Sequence, residues 1–174
     1  MSISIKELLK NLTESNLLSD EEICTIHDSI GSRPDVKSAE SFARELVRQN
    51  HLTKLQAGAV LKGKTKNLVF GEYVVLEKIG SGGMGQVFKA RHRPTGKLVA
   101  VKVLSADAVK NRRLIERFKK EARAVARLKH LNIVRAYEAG KINRIRYLVM
   151  EYVEGENMLA RVNRKEPLSI DECV

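Results

Sequence analysis

Apolar positions at the start of the chain recur at helical spacing. Ile5, Leu8, Leu9 and Leu12 share one face, which predicts an amphipathic helix over residues 5–12. A break is expected near Ser15-Asn16, where polar residues interrupt the stripe. Ser19-Asp20-Glu21-Glu22 reads as a capping box, since serine and glutamate three residues apart can each accept the other's free backbone N–H. Ile23, Ile26 and Ile30 continue the helix, and Gly31 with Pro34 predicts its end. A third helix is expected from near Ser38, carrying Phe42, Ala43 and Leu46 inward. Thr53-Lys54-Leu55-Gln56 is a second capping box, opening a short helix that ends by Gly63. The pattern N-x-L-[ST]-x-x-[EQ] occurs at Asn16 and again at Asn50, which points to two helical hairpins and leaves an internal repeat open. KGKTKNL, Lys62 to Leu68, is basic, contains a glycine and has no periodicity, so it reads as a linker.

From Phe70 the period changes to that of strands: Tyr73 to Ile79, Gln86 to His92 and Leu98 to Leu104. Arg93-Pro94-Thr95-Gly96 is the turn between the second and third of these. GSGGMG, Gly80 to Gly85, therefore lies between antiparallel strands. Glycine weakens a strand, so such a cluster needs a sharp turn or something that approaches the backbone closely. GxGxxG also opens dinucleotide-binding folds, but there the third glycine leads into a helix. QVFKARH alternates with period two, and the required helix is missing.

Composition narrows the class. The 174 residues are 43% hydrophobic and 30% charged, the balance of a soluble globular protein. Cys24 and Cys173 are far apart, so neither a disulfide framework nor a metal site is expected, and a reducing compartment fits best. MSISIKELLK lacks the apolar core of a signal peptide and no apolar run is long enough to span a bilayer, so a cytoplasmic location is expected. Of the net charge of +11, nearly all falls after residue 70, with twenty-two basic and twelve acidic residues against ten and nine before it. The densest run, KNRRLIERFKKEARAVARLK, is a helix pattern whose cations mostly take the polar face, and this argues for a solvated helix over a nucleic-acid binder. His27 and His51 are lone histidines and carry no chemistry by themselves.

A glycine-rich hairpin can cover phosphates with exposed backbone N–H groups if a cation lies beneath. Val99-Ala100-Val101-Lys102 supplies one on a strand otherwise apolar, and a lysine there needs an anionic partner. The following helix pattern puts Leu114, Phe118, Val125 and Leu128 on one face with Glu121 among them, so a Lys102–Glu121 ion pair is expected.

Gly80-x-Gly82-x-x-Gly85-x-Val87, the lysine of VAVK, the glutamate in KKEARAVARLKHLNIV and the segment YLVMEYVEG occur in the order and spacing of protein kinases. The chain resembles bacterial Ser/Thr kinases of the eukaryotic-like (Hanks) type over roughly residues 70–174. The helical leader with LTKLQAG also looks like the N-terminal extension of some of these kinases. The resemblance implies an α+β fold: a small helical module, residues 1–66, and then, from 70 to 174, a kinase N-lobe of a five-stranded antiparallel sheet plus one helix, truncated at the start of the C-lobe. It implies ATP as ligand, with Gly80, Ser81, Gly82, Gly83 and Gly85 over the phosphates. Val87 and Ala100 would lie above the adenine with Ile79 beside them, Met150 would be the gatekeeper, and the backbone of Glu151 and Val153 would bond the adenine edge. Lys102 would contact the α- and β-phosphates and pair with Glu121.

The HRDxxxxN and DFG segments of the family, which supply the acceptor-orienting Asp and the Mg²⁺ ligands, have no counterpart in the 174 residues, so no metal ligands are assigned. After YLVMEYVEG, the stretch GENMLARVNRKEP predicts one short helix, and Leu168-Ser169-Ile170-Asp171-Glu172 opens another with a capping box. Val174 falls within its first turn, so a split gene product or a fragment of a longer kinase is expected. Two functional classes follow: the ATP-binding part of a kinase with protein Ser/Thr acceptors, or a non-catalytic adaptor with residues 1–66 as a docking module. HRD and DFG in a downstream reading frame would separate them.

Overall fold

The computed structural model describes residues 3–31, 33, 35–143 and 145–163. Four helices come first: α1 (Ile5–Ser15), α2 (Asp20–Ile30), α3 (Ala39–Arg48) and α4 (Lys54–Leu61). Each begins on a hydroxyl cap, Ser4, Ser19, Ser38 or Thr53, whose oxygen accepts a backbone N–H of the first turn. The boxes expected at Ser19–Glu22 and Thr53–Gln56 are both closed, and Ser38–Ser41 closes a third with serine in place of glutamate. Asn16 and Asn50 both take the left-handed conformation, with φ of 54° and 61°, just before the caps of α2 and α4. Asparagine tolerates this region better than most residues, so the repeated sequence pattern is a repeated helix–turn–helix connection. Leu8, Leu12, Ile30, Phe42, Leu46 and Val60 form the core of the four helices.

Seven further elements follow: β1 (Val69–Phe70), β2 (Tyr73–Gly82), β3 (Gly85–His92), β4 (Leu98–Leu104), α5 (Ala106–Lys110), α6 (Arg112–Ala126) and β5 (Ala136–Ile142). β6 (Ile145–Glu151) and α7 (Met158–Asn163) complete the described chain. The strands form one antiparallel sheet in the order β1-β2-β3-β4-β6-β5. The five strands implied by the resemblance are β2 to β6. A sixth, β1, is added at the edge, and α5 precedes the expected helix α6. A two-residue strand carries no readable period, and neither does a single helical turn. The capping-box helix expected at Leu168–Glu172, and Pro34 as a helix stop, lie outside the described residues.

One face of the sheet buries Val75, Ala90, Val99, Val101 and Val149 with Phe70 and Tyr147, whose ring centroids are 5.7 Å apart. The sheet is curled enough that Tyr73 on β2 and Tyr147 on β6 both donate to the Glu138 carboxylate of β5, at 3.0 and 2.9 Å. The opposite face of β4 and β6 packs Leu104 and Leu148 against Phe118 and Ala122 of α6. α4 sits on β2, where the Thr53 hydroxyl donates to Leu76 O at 2.6 Å and the Gln56 amide to Val75 O at 2.7 Å. These carbonyls flank a register shift between Val75 and Glu77, so the helix cap satisfies backbone that the ladder leaves irregular. Leu68, at the end of the segment read as a linker, is buried in the helical core, and Leu55 packs against both the helical and the sheet clusters.

Candidate active site

The antiparallel pair β2–β3 runs to its tip in the register Gly80↔Val87, Ser81↔Gln86 and Gly82↔Gly85. The four glycines have different physical reasons to be there. A Cβ at Gly85 would lie 2.0 Å from Val103 O, so β3 can start against β4 only without a side chain. At Gly80 a Cβ would meet Val87 at an ordinary 3.7 Å, and at Gly82 and Gly83 it would meet nothing within 4 Å. Packing therefore requires one glycine of the four and leaves the others to whatever approaches from outside.

Beneath the loop is a cavity of about 530 Å³ lined by Gly80, Ser81, Gly82, Gly83, Gly85, Val87 and Lys102 of the expected set. Met84, Leu114 and Arg117 also line it and were not among the expected site residues, although Leu114 was expected on the apolar face of the helix that carries Glu121. Leu114 and Arg117 stand seven and four residues before Glu121, so the helical period that placed Glu121 also contained them.

Lys102 lies on β4 opposite Val87 and Leu148. Its neighbours Val101 and Val103 point into the sheet core, which turns the lysine toward α6. There its ammonium pairs with the Glu121 carboxylate. The side chains are 21% and 36% exposed, so the pair is screened on one side only. Phe118 and Ala122, buried against Leu104 and Leu148, fix the face of α6 that carries Glu121.

The remaining expected residues lie outside that cavity. Ala100 is buried and sits directly across the ladder from Met150. Ile79 is exposed at the register shift between Lys78 and Gly80. Glu151 pairs with Val99 and its N–H donates to Arg135 O at 2.8 Å, while Val153 is exposed past the end of β6. Lys89 bonds Glu77 at 3.4 Å and stands over the Tyr152 ring at 4.7 Å, tying the segment after β6 back to the sheet. Among the described residues no group of three or more His, Cys, Asp or Glu could hold a metal ion, and no helix is long and apolar enough to cross a membrane.

Residues 73–174 match the protein kinase domain family. Over 102 residues the chain is 39% identical to a probable serine/threonine-protein kinase, CPE1738, of Clostridium perfringens, a match covering 59% of this chain and 15% of that protein. It is 37% identical over 106 residues to the serine/threonine-protein kinase PrkC of Bacillus subtilis, covering 61% and 16% respectively. The solved kinase domain of PknI from Mycobacterium tuberculosis aligns with a TM-score of 0.51 at 27% identity, over 60% of this chain and 42% of that one. The chain thus spans less than a fifth of the length of the two curated relatives. A family match over more than half of the chain, on a sheet that brings a glycine-rich hairpin, a strand lysine and a helix glutamate together, establishes that the protein belongs to the protein kinase family, as the amino-terminal lobe of a kinase akin to the bacterial serine/threonine enzymes.

Proposed function

We propose that this chain is an ATP-binding lobe, with the triphosphate under Gly80–Gly85 and the Lys102 ammonium on its α- and β-phosphates. The observation that carries the reading is the open space at Gly82 and Gly83, next to a lysine held by Glu121. Backbone N–H groups and one cation can neutralise phosphate oxygens where side chains would keep them away. Val87 and Ala100 give the adenine an apolar roof, with Ile79 at its edge and Met150 behind it. The backbone of Glu151 and Val153 is the hydrogen-bonding rim. Glu121 positions Lys102 and does not itself touch nucleotide.

ATP would supply the phosphoryl group for a Ser/Thr hydroxyl. Transfer also needs groups that orient the acceptor and hold Mg²⁺, and the HRDxxxxN and DFG segments that supply them in the family have no counterpart in the 174 residues. The 174-residue chain is therefore expected to bind nucleotide without transferring phosphate. Titration with a fluorescent ATP analogue tests the first part: binding should weaken at least ten-fold in Lys102→Ala and in Gly83→Val. Unchanged affinity in both would refute it. A radiolabelled-ATP assay on a basic acceptor protein tests the second, comparing this chain with a longer one carrying HRD and DFG. Equal, Lys102-dependent labelling by both would sink that claim.

A further inference from the structure

A second groove, of about 490 Å³, lies where the helices meet the outer face of the sheet, and it shares no lining residue with the glycine-loop cavity. Val75 and Ala90 point into the sheet core, so Val74 and its cross-strand partner Arg91 face the helices. Leu17 and Leu52, both buried, complete an apolar wall with Val74. The cations are Arg91 and Arg93, two residues apart at the end of β3, and His51 from the loop before α4. No acid among the described residues lines the groove. Arg93 donates through one nitrogen to the backbone oxygens of Asn16 and Leu17, which fixes its guanidinium and leaves the other nitrogens for a ligand. The Arg91 side chain makes no hydrogen bond or ion pair among the described residues. The Glu22 carboxylate is within electrostatic reach of His51 and Arg93, yet it accepts the Ser19 N–H and hydroxyl at 2.7 and 2.9 Å. The start of α4 is closed as well, by the Thr53–Gln56 box. The groove thus gathers side-chain cations and keeps no anion for them.

We infer that this groove binds a phosphorylated serine or threonine side chain presented by a protein segment. One guanidinium fork satisfies a carboxylate, whereas a phosphate monoester carries nearly two charges and three terminal oxygens, which suits two forks and an imidazole. A nucleic-acid backbone would need cations continuing along a track. Here the next cation on that face of β3, Lys89, is already taken by Glu77 and the Tyr152 ring. A free phosphate would neutralise the arginines but leave Leu17, Leu52 and Val74 facing water. Apolar residues flanking the phosphorylated one would cover them. The bound phosphate would also bridge β3 to Arg93, and through Arg93 to the turn between α1 and α2.

The test uses the whole 174-residue chain without nucleotide, so its outcome is independent of the ATP reading. Fluorescence anisotropy would follow a fluorescein-labelled heptapeptide of alanine and leucine with phosphoserine at its centre. The same peptide with serine or glutamate at the centre, free O-phosphoserine as a competitor, and a short single-stranded DNA serve as comparisons. The phosphopeptide should bind tightest and weaken with added salt. Arg91→Ala should weaken it by about ten-fold or more, and Arg91→Lys by less, since lysine keeps the charge without the fork. The Tm of Arg91→Ala should equal that of the parent, because its guanidinium has no partner in the fold to lose. Lys102→Ala should bind the phosphopeptide as the parent does. Loss of the peptide in Lys102→Ala would put the phosphate under the glycine loop and overturn the proposal. No binding at about 1 mM chain, unchanged binding in Arg91→Ala, or a lower Tm in that variant would each overturn it too. So would equal affinity for the serine peptide, the glutamate peptide or the DNA, or displacement by O-phosphoserine as readily as by unlabelled phosphopeptide.

Discussion

Gly83 and Gly85 stand two residues apart and answer to different constraints. Alanine at Gly85 would drive a Cβ to 2.0 Å from the Val103 carbonyl oxygen, and that contact is backbone and cannot swing away. Alanine at Gly83 meets open space. Gly85→Ala is therefore expected to unfold at markedly lower temperature, by about 1–3 kcal/mol of overpacking. Gly83→Ala should melt as the parent does and show its defect only in nucleotide affinity. Thermal melts paired with nucleotide titrations check both, and equal melts for the two variants would refute the distinction. Glu45 is another single residue with a readable consequence. Its side chain is 10% exposed and accepts from Arg33 at 2.5 Å, Arg48 at 2.6 and 2.7 Å, and Gln49 at 2.6 Å. Hydrogen bonds from Arg48 and then Gln49 hold its carboxyl down to about 2, against the ordinary 4.5. A depressed carboxyl binds protons less readily folded than unfolded, so its contribution is full above pH 4.5 and is lost as pH falls toward about 2. Glu45→Gln should lower stability at neutral pH and flatten the acid limb of Tm against pH; an unchanged acid limb would count against this account.

At the scale of elements, the helices were legible because their ends are written in local chemistry. A hydroxyl and a carboxylate or amide three residues apart mark the start of α2 and of α4, and the period between marks the buried face. The strands β2, β3 and β4 were legible from alternation and from the Pro-Thr-Gly turn. What escaped was either too short to carry a period, as with β1 and α5, or depended on residues far apart in sequence. Nothing near Thr53 or Gln56 announces that their side chains also satisfy Leu76 and Val75 of β2. The candidate site divides in the same way. The glycines, Lys102 and Glu121 were readable from spacing, whereas the cavity's use of Arg117 needed the helix placed against the sheet. Thr53 gives a test at this scale because it caps α4 and holds β2 at once. Thr53→Val removes both interactions at constant shape and should cost about 2–3 kcal/mol, more than the ~1 kcal/mol of an ordinary cap. Urea unfolding would measure it, and a loss no larger than that of Ser4→Ala, an exposed cap with no second partner, would show that the bond to β2 contributes nothing.

For the whole molecule, the question is how the helical residues relate to the lobe that follows. The period change near residue 70 predicts two units, and we propose that residues 1–66 fold as a compact helical unit. The packing supplies a reason for the two to remain attached. Leu68 is buried in the helical cluster and Val74 packs against it, Leu55 reaches the sheet cluster, and Gln56 bonds Val75 in buried surroundings. Between them, Lys62, Gly63, Lys64, Lys66 and Asn67 are exposed and only Thr65 is buried, so three tryptic sites lie on an accessible stretch. Limited trypsinolysis is therefore expected to cut first at Lys62, Lys64 or Lys66, giving two bands on a denaturing gel. The nicked halves should still travel together in size-exclusion chromatography, because the cut removes no buried side chain and none of the bonds from α4 to β2. Separation should follow when the interface is weakened as well, as in nicked Gln56→Ala, where the buried Val75 carbonyl loses its donor. First cleavage inside α1 to α4 would deny the helical unit its compactness. Elution of the nicked parent as two separate species would instead show that covalent connection alone keeps the helices on the lobe.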